Sequence, residues 1–171
     1  DTVWGIGCLP TSKKAVERIY EIKHRDTKKP LILMSDSDKY LRKYVKPLSI
    51  LANELIQKHF PGALTLVVNK SDNTPDYITS GLETVGIRVP NNKTFAQICN
   101  FIDGHVLATT SANLSNEPAA LTYEEAVKYI GDKVDLVIED YDEKAQGRAS
   151  TVAGISPKGI TIFRQGDVVL N

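Results

Sequence analysis

Short apolar runs alternate along this chain with segments of helical period, and that alternation limits the folds open to it more than any other feature. Residues 30–34, 63–68, 84–90 and 105–108 each read as a strand. Between them lie helical patterns with their own start signals. Ser12 caps a segment whose Ala15, Val16, Ile19, Tyr20 and Ile22 share one face, and Asp36 with Ser37 opens a short helix to about residue 44. Pro47 stands where a helix begins that carries Leu48, Leu51, Leu55 and Ile56 to about residue 59, before the break at Pro61-Gly62. Asn92 caps a helix to about residue 102, and Thr122 with Glu125 forms a capping box for one to about residue 130. A further strand is expected at 134–138. Residues 150–153 and 160–164 suit a hairpin around Pro157-Lys158-Gly159, and 141–149 reads as a polar loop. The pattern predicts an α+β fold in one domain over residues 1–171: a twisted, open, mixed sheet flanked by helices. Because the sequence opens abruptly on Asp1-Thr2-Val3-Trp4, a strand and helix are expected upstream of it.

Composition removes several function classes. Lys plus Arg equals Asp plus Glu at 21 each, so general nucleic-acid coating by excess positive charge is not indicated. Cys8 and Cys99 offer neither metal spacing nor a disulfide framework. No run approaches the roughly 18 apolar residues of a membrane helix, and no signal peptide opens the chain, which leads us to expect a cytoplasmic protein. There is no GxxxxGK[ST], GxGxxG or GxSxG motif. His24, His59 and His105 are scattered, and no acidic pair stands out for proton transfer.

What remains is a set of cations, hydroxyls and amides at element ends, which suits binding anions. The run Leu107-Ala108-Thr109-Thr110-Ser111-Ala112-Asn113-Leu114-Ser115 passes from an apolar strand into a cluster of hydroxyls and an amide, either a plain turn or a polar ligand site. Lys23 and Arg25 close the first helix, where the helix dipole alone would favour them. Arg88 sits among apolar neighbours and needs an anion, either a carboxylate of the chain or a ligand.

Seven motifs then occur in one order. They are Asp1-Thr2-Val3-Trp4-Gly5-Ile6-Gly7; Lys23-His24-Arg25 with Lys29-Pro30-Leu31; Pro61-Gly62-Ala63-Leu64-Thr65; Thr84-Val85-Gly86-Ile87-Arg88-Val89-Pro90; Ser111-Ala112-Asn113-Leu114-Ser115; Ser150-Thr151-Val152; and Phe163-Arg164-Gln165-Gly166. Together they resemble the YrdC-like family, the threonylcarbamoyl-AMP synthases of tRNA modification. The resemblance implies that L-threonine and bicarbonate form N-carboxythreonine, whose carboxylate attacks the α-phosphate of ATP and releases pyrophosphate. Mg²⁺ would travel with the ATP, with no metal site in the protein. Transferase proteins would pass the threonylcarbamoyl group to A37 of tRNA, and weak tRNA binding by this chain is also implied.

By the same resemblance Lys23, Arg25, Ser111 and Asn113 are the catalytic candidates. Arg25, Lys29, Thr84, Ser111, Asn113 and Arg164 would bind ATP, with Lys23, Arg25 and Lys29 facing the triphosphate. Thr2, Arg88, Thr109 and Ser150 would surround threonine, with Arg88 pairing its carboxylate or the carbamate. Three positions depart from the pattern: Met34 where His or Ser is frequent beside threonine, Ala63 for the second Pro of the Pro-Gly-Pro turn, and Asn116 for a frequent Gly. Two other readings are a carbamoyl-adenylate-forming enzyme that uses carbamoyl phosphate and a non-catalytic RNA-binding module.

Overall fold

The computed structural model describes residues 1–139 and 144–171. Seven strands form one mixed sheet: β1 (Gly5–Cys8), β2 (Ile32–Ser35), β3 (Leu64–Asn69), β4 (Thr84–Arg88), β5 (Val106–Ser111), β6 (Thr151–Ser156) and β7 (Gly159–Arg164). Their spatial order is β1-β5-β2-β4-β3-β6-β7, with parallel pairs only at β2–β4 and β3–β6. Six helices connect them: α1 (Lys13–Lys23), α2 (Asp38–Leu41), α3 (Ile50–His59), α4 (Asp76–Thr79), α5 (Lys93–Asn100) and α6 (Tyr123–Ile130). The expected mixed sheet with flanking helices is therefore the observed architecture.

Side chains alternate across a strand, and here the alternation separates core from site. Leu33, Leu66, Val85, Ile87 and Ala108 are all buried to 1% exposure or less. They pack with Val16 and Ile19 of α1, Leu55 and Ile56 of α3, and Ile78 of α4. The opposite face carries the next residue along each strand. One row runs Gly7, Thr109, Ile32, Gly86, Val67 and Gly154, neighbours across six strands. A second contains Leu107, Met34 and Arg88 on one side, and Thr65, Val152 and Arg164 on the other.

The caps read from the sequence form. Ser12, Ser37, Asn92 and Thr122 each accept a backbone N–H at their helix start, while Glu125 accepts from Leu121 N rather than from the cap residue. Two expectations, the start of α3 and the strand at 134–138, need correction. α3 starts at Ser49, whose hydroxyl accepts from Ala52 N, so Pro47 lies before the helix. α4 arises within sequence that carried no periodic signal. Residues 134–138 form no strand, although Val-Asp-Leu-Val-Ile has strand composition. They follow a 3₁₀ turn (Gly131–Lys133), and Arg18 holds the segment through Asp135 Oδ1 and Lys133 O, both at 2.7 Å. Leu136 is 74% exposed, so burial does not drive it into the sheet. Of the expected polar loop at 141–149, residues 141–143 lie outside the described residues; Gln146 and Gly147 donate their N–H groups to the carbonyls of Asp1 and Thr2.

Candidate active site

β5 runs further than its apolar stretch suggests. It begins at Val106 and continues through Thr109, Thr110 and Ser111, so these hydroxyls stand on a paired strand instead of in a turn. Thr109 and Ser111 point to the cleft face, opposite Gly7 and Gly5, while Thr110 pairs with Ile6. Thr109 Oγ1 donates to Ile32 O (2.9 Å), which fixes its rotamer. Ser111 Oγ has no partner among the described residues and faces a cleft of about 960 Å³. That volume lies within the range of small-molecule sites.

The loop after β5 is held from behind by α1. Lys23 is 1% exposed, and its ammonium donates to Ser111 O (2.6 Å), Asn113 O (2.5 Å) and Asn113 Oδ1 (3.2 Å). Asn113 in turn donates from Nδ2 to Leu114 O and Glu117 O, and Ser115 N donates to Lys23 O. All three ammonium protons have acceptors, so Lys23 braces the loop and does not line the cleft. Burial, followed by the nearby Arg25 and Lys29 charges, lowers its pKa to about 8. A helix-end cation solvated by water would show none of this.

Arg25 lines the cleft, with Nε directed to Lys29 O (3.3 Å) and NH2 to Pro30 O (2.9 Å). Lys29 is exposed and reaches Asn116 Oδ1 (3.3 Å). Asn116 has φ of 70°, the left-handed conformation that Gly or Asn adopts most readily. This explains how Asn serves at a position where Gly is frequent.

Arg88 finds its anion inside the chain. The carboxylate of Asp1 takes NH2 through both oxygens at 2.7 Å, Gly62 O accepts from Nε (2.8 Å), and Thr2 Oγ1 accepts from NH1 (3.1 Å). Arg88 is 3% exposed, and burial lowers its pKa to about 10, which keeps it charged at neutral pH. Most of its five donors are thus committed to protein, which limits what it can offer a ligand. Asp1 was not among the residues singled out from sequence, although its motif was.

Thr2 and Ser150 are buried at the same place. Ser150 Oγ shares a 2.9 Å hydrogen bond with Thr65 Oγ1 and accepts from Arg164 NH2 (3.1 Å), while Ser150 O accepts from Arg164 Nε (2.9 Å). The Arg164 pKa is lowered by burial and then by the Arg88 charge. Gly166 lets this corner close: a Cβ there would stand 2.5 Å from Ala149 O and from Thr151 N. Thr84 shares the cleft face but sits at the far end of β4, roughly 13 Å along the strand from Arg88. It is level with Ser111 across β2, since Ile32 pairs with both Gly86 and Thr109, and it lies outside the cleft lining. Met34 lines the cleft beside Arg88, its register partner. Phe95 and Ile98 of α5 wall the cleft, and no motif marked them.

The structure therefore gathers Thr2, Arg25, Arg88, Ser111, Asn113 and Arg164 around one cleft, with Thr109 and Ser150 on the same lining. Lys23 and Lys29 stand at its back and rim. Among the described residues no group of three or more His, Cys, Asp or Glu could hold a metal ion, and no helix is long and apolar enough to cross a membrane. The guanidinium groups of Arg25, Arg88 and Arg164 with the Ser111 hydroxyl give a surface that can neutralise and orient an anionic ligand.

A family model named Sua5, YciO and YrdC, described as telomere recombination, matches residues 1–166. Threonylcarbamoyl-AMP synthase of Vibrio cholerae is 32% identical over 96% of this chain and 86% of its own length. The structure of P. abyssi Sua5 complexed with L-threonine superposes with a TM-score of 0.90 at 30% identity, covering 96% of this chain and 48% of the Sua5 chain. E. coli YciO has the same fold, with a TM-score of 0.86 at 23% identity over 98% of this chain and 80% of its own. The chain thus spans most of the curated synthase and about half of Sua5.

Proposed function

This chain belongs to the Sua5/YciO/YrdC family, and on that premise we propose that it is a nucleotidyltransferase that makes threonylcarbamoyl-AMP and pyrophosphate from L-threonine, bicarbonate and ATP. The observation that carries the reading is the cleft itself: among the described residues its lining collects cations and the Ser111 hydroxyl, and no histidine stands there to pair with a carboxylate for moving protons. The reaction needs that inventory. N-carboxythreonine is already a carboxylate nucleophile and pyrophosphate is a polyanionic leaving group, so orientation and charge neutralisation are the main requirements.

In this mechanism Arg25, with Lys29 at the rim, neutralises the β- and γ-phosphates. Ser111 Oγ donates to a phosphate oxygen, and Lys23 fixes the strand end that presents it. Arg164 binds the nucleotide, and Thr84 marks its far margin on the sheet. Arg88 retains only the uncommitted proton on NH1 for the threonine carboxylate; its larger part is to hold Asp1 and Thr2 in place. Thr109 and Ser150 bound the threonine pocket with Met34. Mg²⁺ fits as a passenger on ATP, since it prefers phosphate oxygens and water to an all-protein cage, and it would withdraw charge from the departing pyrophosphate. The adenylate product then passes to tRNA-modifying transferase proteins in the cytoplasm. Weak tRNA contact through the exposed Lys29 rim is compatible with this role.

Pyrophosphate release from ATP and bicarbonate, with and without L-threonine, tests the reading. Threonine-dependent release supports it. Release that ignores threonine and follows carbamoyl phosphate would replace it with the carbamoyl-adenylate reaction. Salt-sensitive RNA binding with no release would replace it with a binding module.

A further inference from the structure

β7 carries an irregularity with a consequence for the nucleotide. Val152 pairs with Arg164 and Ala153 with Ile162, so Phe163 is the extra residue of a bulge. A bulge turns two successive side chains toward one side. Here it brings Phe163 onto the same face of the sheet as Arg164, just beyond the residues that line the cleft. The contact with Gly154 confirms the orientation. Gly154 lies on the cleft face as the partner of Val67, and a Cβ built there would meet Phe163 Cε2 at 2.6 Å and Cζ at 2.9 Å. The ring thus occupies the space a side chain at 154 would fill, resting on bare backbone, yet Phe163 stays 63% exposed.

Single exposed apolar residues need no explanation. This one differs because a glycine beneath it and a bulge beside it both serve to present it. We propose that Phe163 is the stacking platform for the purine base of ATP, an inference that rests on the synthase reading above. Arg164, next in sequence, is tied by Nε and NH2 to Ser150 at the cleft wall, which fixes the platform's neighbour. The centre of the sheet, where Arg88 stands on β4, is two strand spacings from β6, roughly 10 Å. That span matches a nucleoside monophosphate laid across the sheet, with its phosphate near the centre and its base over Gly154. An aromatic face stacks on any base and needs no hydrogen-bonding partner.

Two variants test this in the wild-type background. In Phe163→Ala, the Kd for ATP measured without threonine rises about 5- to 150-fold, the range of one lost base stack. In Phe163→Trp, ATP quenches indole fluorescence beyond the quenching of Trp4 alone seen in the wild type, since Trp4 also lines the cleft, and inorganic triphosphate adds no such excess. Circular dichroism and thermal midpoint separate misfolding from lost stacking, and the tryptophan variant keeps an aromatic ring over Gly154. Unchanged ATP affinity in the alanine variant, or excess indole quenching by triphosphate as well as ATP, would overturn the proposal. So would ATP affinity that holds while RNA affinity falls. If the wild type releases no pyrophosphate yet ATP gives the excess quenching in Phe163→Trp, the synthase reading fails and the platform stands. If the wild type does not bind ATP, both fail.

Discussion

Replacing Lys23 by Met tests whether the cleft depends on a charge that never enters it. The substitution keeps most of the side-chain volume and removes the ammonium, leaving Ser111 O, Asn113 O and Asn113 Oδ1 without their donor. A buried acceptor left unpaired costs about 1–3 kcal/mol. Ser111 and Asn113 line the cleft, so water replaces part of the loss, and we expect about 2–4 kcal/mol in total at pH 7 from urea unfolding. The pH dependence is the sharper test. The Lys23 pKa falls from 10.5 when unfolded to about 8 when folded, so between those values the unfolded chain binds more protons. Stability from this group is therefore lowest below pH 8 and rises as pH climbs toward 10.5. Relative to Lys23→Met, which has no proton to lose, the wild type should gain about 1.3 kcal/mol between pH 7 and pH 9. Cys8, whose pKa burial raises to about 11, titrates alike in both proteins and cancels. A destabilisation under about 0.5 kcal/mol, or a difference that stays flat from pH 7 to 9, would refute the bracing role.

Other substitutions separate framework from chemistry. Gly166→Ala forces a methyl onto Ala149 O and Thr151 N; overpacking of about 1–3 kcal/mol should lower the thermal midpoint and weaken ATP binding together. Arg88→Met takes the guanidinium from the Asp1 carboxylate, which keeps the Thr2 and Asn91 N–H groups, and should cost about 3–5 kcal/mol in urea unfolding; Asp1→Asn combined with it should recover part of that loss. Ser111→Ala removes a hydroxyl with no protein partner, so stability should stay within about 0.5 kcal/mol while threonine-dependent pyrophosphate release drops at least tenfold.

The sheet face was legible where one residue carried both a local and a chemical signal. Arg88 between apolar neighbours demanded an anion, and the structure supplies Asp1 from 87 positions away, a partner that no local pattern can name. Lys23 read equally well as a solvated helix end. Only the packing of the strand-end loop on α1 decides that its ammonium is buried, and that is a tertiary fact. The run at 134–138 shows the converse error: strand composition does not make a strand when Arg18 fastens the segment away from the sheet. Thr65 and Phe163 were quoted within motifs without a role, because Thr65's hydroxyl partner and the bulge behind Phe163 depend on how β6 meets its neighbours.

The Arg88 cluster also bears on how the protein is made. Asp1, Arg88 and Ser150 come from the start, middle and end of the chain, and Arg164 arrives last. As the chain leaves the ribosome, β3 waits for β6 and β1 for β5, pairings that close long loops and slow folding. A nascent piece that stops before Arg164 lacks one of the cleft's guanidinium groups and the donors that hold Ser150. Clipping the chain just before Arg164 should silence the enzyme while leaving the six preceding strands at least partly paired.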